Sequence, residues 1–577
     1  MLGFLAAMCA SSPPHSTSLP RVEDLSLDQK IGQLFIYPGH AVFMAESSEA
    51  YQKLLHAVRE NQVGGIIWFV SNVYETAHLT RELQLAARVP LLISADLEAG
   101  PGMRFADTTY WPPAMAIAAT GDPALAEAEG RIVAREAGSL GVNHILAPVA
   151  DVNIDPDNPV INARSFGEDA QSVGRFVAAF IKGVQGEHVL ATAKHFPGHG
   201  DTHVDSHRAL PVIEATRDRL DAVELVPFRA AIEAGVHSVM IGHLAVPSLD
   251  PTPVPVRTVP HDDNSYGTHP SEVPLHGTLP ATISSKIVDG LLRHELGYDG
   301  LVVSDAFDMG GIIEHFEAGE AAVRAFEAGI DQVMVSSDTD AAIAAVKAAV
   351  QSGRLSPERI DQSVRRILAA KALVSFGVAE QGEIFRTIDS EEDRDVAEEI
   401  ARRAITLVRE QPGTLPLRRE TKVMLVMVSD GSDTSALLGL EHELRWRLQQ
   451  PLEVARLDPR SREEDVPSIV SSAERCDVVI LALAVRARSG AGTISLPAAA
   501  TSLIARLPTS TRSIAVAFGT PYMLRELPSV GTYLCAYGPQ PVLQTAALEA
   551  LFGEEPITGH LPVRIPGFYE IGHGIQK

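Results

Sequence analysis

Between Asp28 and about Ser375 the chain repeats one pattern eight times: a short apolar run, then an amphipathic helical stretch. The runs are GQLFIY (32–37), GIIWFV (65–70), LLISAD (91–96), HILAPV (144–149), LATAKH (190–195), SVMIGH (238–243), LVVSDA (301–306) and DQVMVS (331–336). Short apolar runs that alternate with helical stretches such as AAVRAFEAG (321–329) mark βα units around a parallel sheet. Eight units over roughly 350 residues predict an α/β chain built on a (β/α)8 barrel.

Such a barrel places chemistry where its strands end. Asp96, the pair Lys194 and His195, His243 and Asp305 all stand at the C-terminal ends of different runs. Arg164 and the segment HGDTHVDSH follow two of the runs and belong to loops. Residues 246–280, rich in proline and turn formers, predict a long loop at the same face.

A length of 577 residues exceeds what one core holds. A helical, polar connector near 376–400 leads to four further runs, KVMLVMVS (422–429), CDVVILAL (476–483), SIAVAFG (513–519) and TYLCAYG (532–538). They predict a smaller α/β sandwich, and its strand ends carry few ionisable groups, which suits a supporting role. The expected scheme is an apolar segment at 1–24, a barrel at 25–378, a linker at 379–405 and the second domain at 406–577. In the first segment MLGFLAAMCASS is apolar, but the first basic residue is Arg21. A secretory signal would carry a positive start and a longer apolar stretch, so the segment is at most a truncated export or lipoprotein signal ending at Cys9, and cytoplasmic and exported locations both stay open.

Composition narrows the partners. With 48 basic and 73 acidic residues the net charge is −25, which repels a nucleic-acid backbone over most of the surface. A small or neutral substrate fits better. No later apolar run approaches the roughly 20 residues of a membrane span, so no transmembrane segment is expected. Cys9, Cys476 and Cys535 form neither a metal-ligand spacing nor a disulfide framework.

Residues 194–207, KHFPGHGDTHVDSH, hold four histidines. His199, Asp201 and His203 alternate as metal ligands do, although no second cluster accompanies them. The alternative is acid/base work: in Asp205-Ser206-His207 a carboxylate two residues before an imidazole can fix the ring while the ring exchanges a proton with a leaving group. Gly198 and Gly200 are expected to free the loop backbone. Asp305 is either a helix cap or a carboxylate nucleophile able to attack an anomeric carbon. A lysine ending an apolar strand is costly unless paired, so Lys194 and His195 are expected to bond sugar hydroxyls or an acidic partner. Asp96 and Arg164 suit a polyhydroxylated ring as acceptor and forked donor, or else form a structural ion pair.

Taken together these residues resemble glycoside hydrolase family 3, in its two-domain β-N-acetylglucosaminidase branch. The resemblance runs through DLEAGPGMR (96–104), APVADVN (147–153), INARSFGED (161–169), KHFPGHGDTHVDSH (194–207), MIGH (240–243), LVVSDAFDMGGI (301–312) and the C-terminal CAYGPQPVLQTAALEALFGEEPITGHLPVRIPGFYEIGHG. It covers nearly the whole chain after about residue 25. It implies a TIM-type barrel followed by an α/β sandwich, and a retaining exo-β-N-acetylhexosaminidase that removes terminal N-acetylglucosamine from fragments such as peptidoglycan or chitin. By the same resemblance Asp305 is the nucleophile and His207 the acid/base, oriented by Asp205. Asp96, Arg104, Arg164, Lys194, His195 and His243 bind the sugar, and no metal ion or organic cofactor is needed. Two departures stand out: Ala99 replaces a glycine and Pro101 an arginine in the first motif, and Ala306 stands where many single-domain members carry a second Asp. The latter removes a like charge beside Asp305.

Rival functions follow from the same residues. A neutral imidazole repels phosphate less than a carboxylate would, which admits a phosphorylase. A β-glucosidase, a metal-dependent hydrolase using His199, Asp201 and His203, and a non-catalytic sugar-binding protein are the others. The leaving-side subsite and the oligomeric state carry no signature in the sequence.

Overall fold

All eight predicted runs form strands: β1 (Phe35–Gly39), β2 (Gly65–Trp68), β3 (Leu92–Ala95), β4 (His144–Ile145), β5 (Leu190–Phe196), β6 (Ser238–Ile241), β7 (Leu301–Ala306) and β8 (Gln332–Met334). Each pairs in parallel with the next, and β8 pairs back to β1, which closes the barrel. The computed structural model describes residues 19–255, 277–433, 435–487, 494–508 and 511–577. The apolar start with Cys9, and 256–276 of the predicted long loop, lie outside the described residues.

Most strand limits differ from the sequence pattern by one or two residues, and two differ by more, for local reasons. β1 begins at Phe35 because Gly32 and Gln33 belong to the helix Leu27–Gln33. That helix starts at a reciprocal cap, in which Ser26 and Gln29 each accept the other's backbone N–H. β4 stops at Ile145, short of the predicted 149, because Pro148 has no N–H to give a ladder. Pairing resumes only as a single bridge between Val149 and Lys194.

Covered strands read as continuous apolar runs because both faces are buried. All seven residues of β5 are buried, Lys194 and His195 among them. The helix Ala170–Gly186, capped by Asp169, turns Val173, Phe176, Val177, Phe180, Ile181 and Val184 inward at three- and four-residue spacing. Within the barrel, His144 bonds Ser94 Oγ at 3.0 Å and Thr192 Oγ1 at 2.8 Å. Burial holds it neutral, with its pKa lowered to about 3.

The helices Gln381–Thr387 and Glu391–Ala404 lead to a six-stranded sheet of order β9-β14-β13-β12-β10-β11. Its strands are β9 (Thr406–Arg409), β10 (Val423–Ser429), β11 (Glu453–Leu457), β12 (Val478–Ala484), β13 (Arg512–Ala517) and β14 (Thr532–Cys535). All pairs are parallel except β9 with β14. β9 and β11 have no counterpart in the sequence pattern. Both are edges, and β11, EVARL, carries the polar, half-exposed character that an edge tolerates.

The short helix Ala114–Ala119 is buried throughout and divides its side chains between two cores. Ala114, Ile117 and Ala118 pack in the barrel core, while Met115, Ala116 and Ala119 pack in the second domain's core. Polar ties reinforce the join: Asn153 Nδ2 donates to Tyr522 Oη at 2.9 Å, Arg525 pairs with Asp157 at 2.6 Å, and Glu168 accepts the Arg564 N–H at 2.9 Å and also pairs with its guanidinium. Among the described residues no helix is long and apolar enough to cross a membrane.

Candidate active site

A cavity of about 1040 Å³ lies over the C-terminal ends of the barrel strands, with the second domain as one wall. Asp96, Arg104, Arg164, Lys194, His195, His207 and Asp305 all line it, so residues scattered over 210 positions of sequence meet in one place.

Its floor is an alternating charge network. Lys194, 2% exposed, bridges Asp96 Oδ1 at 2.9 Å and Glu98 Oε1 at 2.6 Å. Arg104 donates to Asp96 Oδ2 at 2.8 Å, and Arg164 grips Glu98 with two bonds of 2.7 and 2.8 Å. The predicted lysine and arginines thus have acidic partners, and a ligand meets them as a fixed set. Burial works against the charge on Asp96, but Lys194 and Arg104 outweigh it and hold the carboxyl at about 2. Glu98 is held well below its ordinary value by Arg164 and Lys194 against the same burial.

Asp305, at the end of β7, accepts the N–H of Ala306 at 2.8 Å. Burial opposes its ionisation, yet His195, His243, His207 and that N–H together keep the carboxyl below its ordinary value. The residue is therefore an anion poised at the cavity. His243, by contrast, does not line the cavity. Fully buried, it donates from Nε2 to the Ala306 carbonyl at 2.8 Å, and its Nδ1 lies 3.0 Å from Thr282 Oγ1. It fixes the backbone that carries Asp305 and presents no atom to a sugar.

The loop after β5 carries the imidazoles. Gly198 adopts φ +130°, as the sequence suggested, whereas Gly200 serves close approach: a Cβ there would sit 1.7 Å from the Val152 carbonyl. His207 Nδ1 and its own N–H both lie 2.9 Å from Asp205 Oδ1. Asp205 is buried while the ring of His207 is about a third exposed, so the carboxylate anchors one ring nitrogen and leaves the other toward the cavity.

The three candidate metal ligands turn to separate partners. His199 lies between Thr202 Oγ1 at 2.9 Å and Ser206 Oγ at 3.0 Å, Asp201 pairs with Arg219 at 3.1 Å, and His203 pairs with Asp155 at 2.7 Å. Burial lowers His199 to about 4. Among the described residues no set of three or more His, Cys, Asp or Glu side chains is arranged to hold a metal ion.

Two residues central to the site escaped the sequence pattern. Glu98 joins the lysine and Arg164, and its signal was its place two residues after Asp96. Asp151 accepts His195 Nδ1–H at 2.7 Å and the backbone N–H groups of His195 and His199 at 3.1 and 2.7 Å. It sits in APVADVN, six positions past the end of β4, where a strand-end search does not reach. The second domain contributes as well, through Asp433, Arg486 and Gln540.

The chain is similar over most of its length to proteins already known. Residues 26–370 match the model of the glycosyl hydrolase family 3 N terminal domain. A beta-N-acetylglucosaminidase/beta-glucosidase of Cellulomonas fimi is 31% identical over 555 residues, 94% of each chain. Among solved structures, a family 3 beta-N-acetylglucosaminidase of Paenibacillus sp. str. FPU-7 is similar at a TM-score of 0.79 with 34% identity, over 94% of this chain and 99% of that one. A beta-glucoside phosphorylase is similar at a TM-score of 0.81 with 26% identity, over 94% and 95% of the two chains.

Proposed function

The chain belongs to glycosyl hydrolase family 3 and is a glycosidase, and on that premise we propose that it is a retaining exo-β-N-acetylhexosaminidase acting on terminal non-reducing N-acetylglucosamine. The observation that carries the proposal is one cavity lined by an ionised Asp305 and by His207, whose ring is anchored by the buried Asp205.

In this mechanism the Asp305 carboxylate attacks the anomeric carbon while the His207 imidazolium gives its Nε2 proton to the glycosidic oxygen. The Asp205 carboxylate holds the Nδ1–H and stabilises the imidazolium. A glycosyl ester on Asp305 results, and the leaving alcohol departs. Neutral His207 then takes a proton from water, the water attacks the anomeric carbon, and Asp305 is released with net retention. The network of Asp96, Arg104, Arg164, Lys194 and His195 holds the sugar, its ion pairs fixing each donor and acceptor before the ligand arrives. His243 acts as a positioning residue beneath Asp305. Peptidoglycan and chitin fragments both offer the required terminal sugar.

The experiment is turnover of p-nitrophenyl β-N-acetylglucosaminide and of the matching glucoside, with chelator and with added phosphate, the sugar product followed by NMR. β-N-acetylglucosamine as first product, unaffected by chelator or phosphate, is the expected result. A sugar phosphate would make the protein a phosphorylase, glucoside-only turnover would overturn the sugar assignment, and loss with chelator would restore a metal reading of the 194–207 loop.

A further inference from the structure

Every group assigned above comes from the barrel, yet the barrel builds only part of the cavity. The remaining wall comes from the ends of β10, β12 and β14, through Asp433, Arg486 and Gln540. These strands meet at a particular place in the second sheet. From β10 the order runs outward to β11, and from β12 it runs the other way to β13 and β14. The gap between the carboxyl ends of β10 and β12 is therefore a topological switch point, where open α/β sheets leave a crevice for ligands. Here that crevice opens onto the barrel mouth, and Asp433 also lines a smaller pocket of about 260 Å³ at the same strand ends.

Two of the wall's three polar groups have no hydrogen-bond partner among the described residues. The Arg486 guanidinium makes no hydrogen bond or ion pair with any described residue, although it lines the cavity. Gln540 Oε1 is buried without a partner among the described residues. Asp433 takes the Ser435 N–H and hydroxyl on Oδ1, at 2.8 and 2.6 Å, and is held ionised by them and by nearby Arg486. This differs from the floor, where lysine, arginine and carboxylates already pair with one another. On the barrel side Met103 and Tyr110, 38% and 49% exposed, add apolar surface to the same cavity.

We propose that this second-domain wall is the leaving-side subsite and that Arg486, Asp433 and Gln540 select a neutral saccharide as the leaving group. The inference rests on the hydrolase reading of the cavity. A cation, an anion and an amide oxygen side by side offer donors and acceptors with no net excess of charge, which suits hydroxyl groups on a second ring. The apolar barrel residues suit the C–H face of that ring. A volume at the upper end of those that enclose a whole drug-sized ligand, about 300–1,000 Å³, leaves room for more than the sugar being cleaved.

The test compares Arg486→Ala, Arg486→Lys and Gln540→Ala on N,N′-diacetylchitobiose, on the p-nitrophenyl β-N-acetylglucosaminide, and on a disaccharide whose leaving sugar bears a carboxylate. For Arg486→Ala we expect kcat/KM on diacetylchitobiose to fall about ten- to a hundredfold, at least tenfold more than on the aryl glycoside, with partial recovery in the lysine variant. Equal losses on the two substrates, or none on the disaccharide, would overturn the subsite. A loss concentrated on the carboxylate-bearing disaccharide would overturn the neutral-saccharide assignment. A wild type inert on all three substrates would instead remove the hydrolase reading on which the inference stands.

Discussion

Replacing Lys194 by methionine isolates the element on which the cavity floor depends. The substitution keeps an unbranched apolar stem and deletes only the ammonium that bridges Asp96 and Glu98. Breaking a buried pair by removing one partner costs about 3–5 kcal/mol, because the remaining charge stays buried. An independent figure is of similar size: holding Asp96 at about 2 instead of 3.8 is worth about 2 kcal/mol for that carboxyl alone. Unfolding a barrel of roughly 350 residues releases about 0.7 kcal/mol per kelvin, so the expected fall in Tm is about 4–7 °C at pH 7.5. The pH dependence carries the sharper prediction. In the wild type the depressed Asp96 contributes stability that is complete above its unfolded value and lost only as pH falls toward about 2. Without Lys194 burial is no longer outweighed, the folded carboxyl rises, and the penalty grows as pH climbs above the unfolded value. The Tm gap between wild type and variant should therefore be smaller at pH 5 than at pH 7.5, by differential scanning fluorimetry with the unfolding of each checked for reversibility. A gap under 1 °C, or one that does not change with pH, would refute the account of the floor as a lysine-neutralised carboxylate pair.

Other perturbations address other parts of the molecule. Asp205→Asn should slow a sugar leaving group by about 10²-fold and an aryl leaving group far less, since the aryl alcohol departs with little acid help; equal slowing in steady-state kinetics would mean that Asp205 does not serve proton transfer. Asp305→Ala should abolish turnover, and added azide should restore it with the α-linked glycosyl azide as product, whereas a β-linked product would remove Asp305 from the nucleophile's place. Burial pushes Glu136, which accepts from Thr109 Oγ1 at 2.5 Å and the Asp389 N–H at 2.9 Å, up to about 7. Its raised value makes stability decline as pH rises from about 4.5 through 7, so Tm of Glu136→Gln should fall less than that of the wild type between pH 5.5 and 8. A Cβ on Gly538 would meet Gln540 Oε1 at 2.1 Å and Pro113 at 3.0 Å, so Gly538→Ala should push the Gln540 carboxamide aside, read as a higher KM for a disaccharide with Tm nearly unchanged; an unchanged KM would mean that this carboxamide does not meet the substrate.

The barrel was legible because a parallel strand buried on both faces writes itself as a run of aliphatic residues. The same logic found β10, β12, β13 and β14. It missed β9 and β11, whose sequences TLVR and EVARL are too short or too polar to stand out from a loop. Within the site, residues at strand ends were visible one by one, as with Asp96, Lys194 and Asp305. Their partnerships were not, because an ion pair between Arg164 and Glu98 spans 66 positions and leaves no periodic trace. His243 shows the converse: it has the right residue type at the right strand end, but its ring turns to Thr282 and the Ala306 carbonyl. The second domain's share of the cavity was hidden for a related reason. Arg486 and Gln540 are ordinary surface residues until the folded sheet brings its strand ends against the barrel mouth.

The division of Ala114–Ala119 between two cores bears on how this protein fails under heat. A hinge between domains needs an interface that can slide, and here six consecutive residues are locked on both sides. If the sheet melts, Met115, Ala116 and Ala119 lose their packing and the cavity loses its far wall in the same event. Inactivation and aggregation should then share one barrier, and the thermal half-life of activity is set as much by residues far from Asp305 as by the barrel that carries it.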